Sequence, residues 1–95
     1  MNLSVKNIHF AKWLNRKIGP KKLFTKEFSW DTREIHRWTS GHNFPKAAIL
    51  SALLYDLHLF TKQEYTSLVA ECMDALLRDY KEFKYETSRN REHTK

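Results

Sequence analysis

Arg33 and Arg37 stand four residues apart, and Ser40 follows three residues later. At about 100° per residue, the three fall in one line along a helix. His36 flanks that line, and Thr32 lies nearer its edge. Ile35 and Trp38 fall almost opposite, where they must face a core. Two guanidinium groups held in line toward solvent can each donate a bidentate pair of hydrogen bonds. Guanine offers matching acceptors, O6 and N7, on its major-groove edge. The competing reading of Arg33 and Arg37 is a solubilising surface, so the surrounding elements decide.

Those elements read as helices throughout, with no period-2 alternation of β-branched residues. Asp31-Thr32-Arg33-Glu34 has the form of a capping box, with a cap residue and a Glu three positions on. It opens a helix that ends at Ser40-Gly41, where Gly41 can take the positive φ of a helix stop. Before it, Lys21 to Phe28 forms a short helix with Phe24 and Phe28 at i, i+4, followed by the turn Ser29-Trp30. A first helix runs from Val5 to Lys17, with Ser4 as its cap and Val5, Ile8, Ala11 and Leu14 on one face. Gly19-Pro20 stops it, and Pro20 suits the first turn of the next helix.

After the loop His42-Asn43-Phe44, Pro45 opens a fourth helix carrying Ala48, Ile49, Ala52, Leu53 and Leu57. Thr61-Lys62-Gln63-Glu64 is a second capping box, opening a fifth helix that reaches Tyr80 or beyond. From Tyr85 to Lys95 the chain is basic and nearly free of apolar residues, so 85–95 reads as a frayed or disordered tail. The expectation is an all-α, compact five-helix domain over residues 1–84.

Length and composition agree. Ninety-five residues make one domain, and 41% hydrophobic and 14% aromatic residues can fill a core without metal or disulfide staples. The single cysteine, Cys72, excludes a disulfide framework and a zinc site built on several thiolates. The five histidines form no HxxxH pair. No metal and no cofactor are expected. Nucleophile elbow, P-loop, HExxH and dinucleotide-turn signatures are all absent, so no enzyme activity is expected. No run of apolar residues is long enough for a spanning helix, and the N-terminal residues lack an apolar signal-peptide region. A cytoplasmic location is expected.

The net charge is +6, and it is unevenly placed. Residues 1–46 hold ten Lys/Arg against three acids, whereas 47–80 hold two against five. A basic first half is biased toward polyanions. Asp56, Glu64, Glu71, Asp74 and Asp79 lie in the half expected to stay away from phosphate.

The stretch from Pro20 to Pro45 resembles the phage lambda repressor/Cro-like helix-turn-helix family. Phe24 then Thr25 match its apolar-then-small pair, and Phe28 its apolar residue before the turn. Ser29 and Trp30 occupy the turn, Ile35 and Trp38 the two apolar positions of the recognition helix. Gly41 to Pro45 closes the motif at the family's spacing. The match covers 26 residues without a gap. It implies a lambda repressor-like fold with the third helix in the major groove of double-stranded DNA.

Thr32, Arg33 and Arg37 then match base-reading positions, with His36 beside them and Ser40 at the helix end. Glu34 could hold Arg37 in place. Arg16, Lys17, Lys21, Lys22, His42 and Asn43 sort as phosphate contacts. Each lysine singly is equally readable as a solvated charge. Two departures stand out. Ser29 replaces a turn Gly, where positive φ costs roughly 1 kcal/mol. Lys21 replaces a Gln that commonly touches a phosphate and braces a base-contacting side chain; Lys21 is expected to supply only the phosphate contact.

Trp13, Phe24, Phe28, Trp30, Trp38 and Phe44 could stack on unpaired bases. Phe24, Phe28, Trp30 and Trp38, however, occupy positions the motif buries. On the fifth helix Tyr65, Val69, Cys72, Met73, Leu76 and Tyr80 belong to an apolar band too wide for one narrow stripe: one edge can pack on the first and fourth helices, and the band is expected to join two copies in a homodimer, against the readings that it packs wholly inside the monomer and that Cys72 is simply a small buried residue. Two-fold dimers set two reading helices about one DNA turn apart and read palindromes. The expected function is a dimeric transcriptional repressor that blocks polymerase. Two rivals are an antitoxin-like protein-interaction module that also binds operator DNA, and a binder acting through charge alone.

Overall fold

Gly19, at φ 63°, ends the first helix and returns its N–H to Asn15 O at 3.1 Å. Pro20 then enters the second helix extended, at ψ 111°. Local signals of this kind divide the chain into α1 (Ile8–Ile18), α2 (Lys21–Phe28), α3 (Thr32–Thr39), α4 (Ala47–Thr61) and α5 (Tyr65–His93). This computed structural model describes residues 7–93, with side chains described as far as Tyr85. The described residues are all-helical and contain no strand. None of their helices is long and apolar enough to cross a membrane.

α1 is the hub and packs on α3, α4 and α5, while α2 packs on α3. The core is built from Phe10, Trp13, Leu14 and Ile18 of α1, Phe24 of α2, Ile35 and Trp38 of α3, and four leucines of α4. Leu68, Cys72 and Ala75 of α5 close it. Aromatic rings concentrate around Phe24, which stacks on Trp30 and meets Phe60 edge-on at 5.2 Å. Such pairs add to what area burial alone contributes.

Several boundaries differ from the sequence reading. α1 begins at Ile8, and Ile8, expected inside, is exposed; Ser4 and Val5 lie outside the described residues. The buried face of α1 is instead Phe10, Ala11, Trp13, Leu14 and Ile18. Asn7, at the cap position, makes no side-chain cap bond. Its role is filled from α5, where the buried Asp79 carboxylate accepts from His9 N and Phe10 N.

The second capping box does not form. Thr61 belongs to α4, its hydroxyl donating to Leu57 O at 2.8 Å, and Lys62 at φ 62° ends that helix. The backbone of α5 opens at Glu64, whose carbonyl accepts from Leu68 N. Finally, the backbone stays helical through His93, where a frayed tail was expected from Tyr85. No Gly or Pro follows Pro45, so nothing in the sequence forces a stop. Residues 94 and 95 lie outside the described residues.

Candidate nucleic-acid interface

The presentation of α3 starts at the turn before it. Ser29 adopts the left-handed conformation (φ 59°, ψ 43°) and bonds back to Thr25 O, as does Trp30 N at 3.0 Å. The chain thereby reverses in two residues. Trp30 anchors the turn, with its indole N–H donating to Asp56 of α4 at 2.8 Å and its ring meeting Trp38 edge-on at 6.0 Å. Asp31 then caps α3, its carboxylate accepting from Arg33 N at 2.8 Å. The reciprocal half of the capping box is missing because Glu34 turns along the helix toward Arg37, 3.7 Å away.

On α3, Ile35, Trp38 and Thr39 are buried, while Thr32, Arg33, His36, Arg37 and Ser40 are all exposed. The five side chains selected from sequence therefore share one uninterrupted polar face. Thr39 hides its hydroxyl by donating to Ile35 O at 3.0 Å. Such a face can donate hydrogen bonds to base edges and phosphates, because two of its members are always-charged guanidinium groups.

Lys21 lies at the start of α2 with its Nζ 3.5 Å from His36 Nδ1. The expectation that Lys21 would supply a phosphate contact without bracing a reading side chain is corrected here: it touches one. Lys22 is exposed on the same turn. At the other end of α3, Gly41 (φ 82°) turns the chain beside α1; a Cβ there would meet Asn7 O at 3.7 Å and Ala11 Cβ at 3.8 Å. His42 N and Asn43 N both return to Arg37 O, and Ser40 Oγ lies 2.7 Å from His42 Nδ1. His42 and Asn43 are exposed.

Of the assigned phosphate contacts, one is engaged within the fold and another lies on a different face of α1. Lys17 is committed inside the fold, with its ammonium 2.8 Å from Glu71 and donating to Gln63 Oε1 at 2.7 Å. Arg16 lines a groove between α1 and α5. It lies roughly 140° around α1 from Ala11, which sits beside Gly41 at the end of α3, counting about 100° per residue. The sequence placed both at the end of a basic helix but could not say which neighbour that helix would meet.

Sequence reasoning did not single out Lys46. It is exposed and lines a shallow groove with Glu34, Arg37, Trp38, Asn43, Phe44, Pro45 and Ile49, directly beside the reading face. The available signal was a basic residue at the entry to a helix next to Pro45.

The residues assigned to dimerisation divide. Tyr65, Met73 and Tyr80 are exposed, and Val69 and Leu76 are half-buried. Cys72 is corrected: it is wholly buried in the core, and burial pushes its thiol up to about 11. Leu77 extends the exposed strip, and the Tyr65 ring meets His58, which in turn meets Tyr55 on α4. Trp13 is buried with its indole N–H on Glu71 at 3.0 Å, while Phe44 is half-exposed with its ring edge on Phe10.

No family model, curated protein or solved structure matches this chain.

Proposed function

We propose that the protein is a sequence-specific double-stranded DNA-binding transcriptional regulator, with a lambda repressor-like helix-turn-helix formed by α2 and α3. The observation that carries this reading is the face of α3. Thr32, Arg33, His36, Arg37 and Ser40 are exposed together, on a short helix whose opposite side is sealed by Ile35 and Trp38. Placed in a major groove, Arg33 and Arg37 read base edges, with Thr32, His36 and Ser40 at the margins. Lys21, Lys22, His42 and Asn43, on the two flanks of α3, hold the phosphate backbones. Lys46 joins them.

The strip Tyr65, Val69, Met73, Leu76 and Tyr80 on α5 supports assembly as a homodimer on a palindromic operator. The proposed action is repression by occupying a promoter in the cytoplasm. The test is selection of bound duplexes from a randomised library at near-physiological salt. Recovery of a palindrome supports the reading. Binding that shows no preferred sequence and disappears as salt rises would replace it with charge-driven attraction alone.

A further inference from the structure

A second basic surface lies away from α3 and is not used by the DNA reading. α1 and α5 border a groove of about 360 Å³ lined by His9, Lys12, Trp13, Arg16, Lys17, Glu71, Asp74, Ala75 and Arg78. Its floor is Trp13 and Ala75, both buried. Ala75 is small, so the two helices leave a depression where a larger side chain would fill the seam. The volume is within the range of small-ligand sites, roughly 300–1,000 Å³.

The charges around the groove do not balance. Four Lys/Arg side chains face two carboxylates. Lys17 is taken by Glu71 at 2.8 Å, and Arg78 uses its Nε on Asp74 at 3.2 Å. That leaves Lys12 and Arg16, four residues apart on α1, exposed and without an ion pair to any described residue. The surplus of two positive charges matches a single compact dianion. A guanidinium fork and an ammonium suit phosphate oxygens. A continuous polyanion fits poorly, because Glu71 and Asp74 stand in the wall.

We infer that the α1–α5 groove binds a small phosphate-bearing molecule between Lys12 and Arg16. This goes beyond the DNA reading and does not depend on it. The site lies on the face of α1 turned away from the Ala11–Gly41 contact, so ligand and DNA need not compete for the same surface.

The full chain carries its own reporter. The Trp13 indole N–H is at the groove floor, whereas Trp30 and Trp38 lie in the turn and reading helix. The experiment follows the three indole signals by NMR during titration with inorganic phosphate and glycerol 3-phosphate, against chloride at matched ionic strength. The expected result is a saturable shift of Trp13 with both phosphates, with Trp30 and Trp38 unmoved. Arg16→Ala should weaken it roughly tenfold, the weight of a hydrogen bond between charged groups, and Lys12→Ala by less. Unmoved Trp30 and Trp38 signals in the free variants show that the fold is intact. A linear response equal to that of chloride overturns the inference, as does an unchanged affinity in Arg16→Ala. A Trp13 shift produced by duplex DNA and lost in Arg16→Ala also overturns it, by making the groove a nucleic-acid surface.

Discussion

Asp79 Oδ2 accepts the Phe10 N–H at 3.0 Å, joining residues 69 positions apart in the chain. Its other oxygen accepts from His9 N at 2.8 Å. A carboxylate from α5 thus caps the first turn of α1, where free N–H groups and the helix dipole favour negative charge. Asp79 is 2% exposed, so the two N–H groups have little access to water in its absence. Asp79→Ala should lower stability by about 1–3 kcal/mol, the cost of leaving buried donors unpaired. Urea denaturation at neutral pH measures it, and a loss below about 0.5 kcal/mol would contradict this capping role.

Ser29 sits at φ 59° without the freedom of glycine. The left-handed conformation costs an L-residue roughly 1–2 kcal/mol, and glycine returns part of that gain through its more flexible unfolded chain. Ser29→Gly should therefore raise stability by about 0.5–1 kcal/mol. A thermal melt reads the change, and a lower midpoint would mean that the serine hydroxyl contributes something the geometry does not reveal.

Glu71 ties three elements together, accepting from Trp13 of α1 and Gln63 before α5, and pairing with Lys17. Its hydrogen bond with Lys17 is the largest cause holding its carboxyl at about 2, below the ordinary 4.5. A carboxylate depressed in the folded state contributes stability above its unfolded value, and that contribution drains as pH falls through the folded value. The stabilisation should thus be complete above about 4.5 and fade toward about 2. The urea midpoint should fall less between pH 5 and pH 3 in Glu71→Gln than in the natural chain. Identical pH slopes would remove Glu71 as the acid-sensitive link.

Arg33→Ala and Arg37→Ala should each cost on the order of 1–3 kcal/mol at the selected duplex and relax preference at one base position. Lys22→Ala, at an exposed position assigned to the phosphate backbone, should weaken all duplexes about equally and lower the salt slope. Lys17→Ala offers the contrast: with its ammonium held by Glu71, it should reduce stability and leave the salt slope unchanged. Competition binding across salt concentrations tests all four. Full affinity in both arginine variants would move the reading surface off α3.

On α5, Met73 and Tyr80 are about half exposed on one strip (48% and 53%). A Met73→Asp, Tyr80→Asp double variant should stay folded and sediment as a monomer, and should bind a palindrome no more tightly than an isolated half-site. A natural chain that already sediments as a monomer, free and on DNA, would contradict the dimer.

The sequence alone determined the all-helical class, the bounds of α2 and the exposed face of α3. Those signals are local: Gly19-Pro20, the Asp31 cap, Gly41, and the spacing of Ile35 and Trp38 against Arg33 and Arg37. Short-range sterics and a 3.6-residue period suffice to read them, which is why α2 and the five exposed side chains of α3 fall where expected. Contacts between distant segments were decided only by the tertiary structure. Whether Lys17 meets phosphate or Glu71, whether Thr61 opens α5 or closes α4, whether Cys72 lies on the surface or in the core, and what caps α1 all depend on which helix packs where. A charged side chain looks the same in sequence whether it faces solvent or a partner 54 or more residues away, and packing alone distinguishes the two.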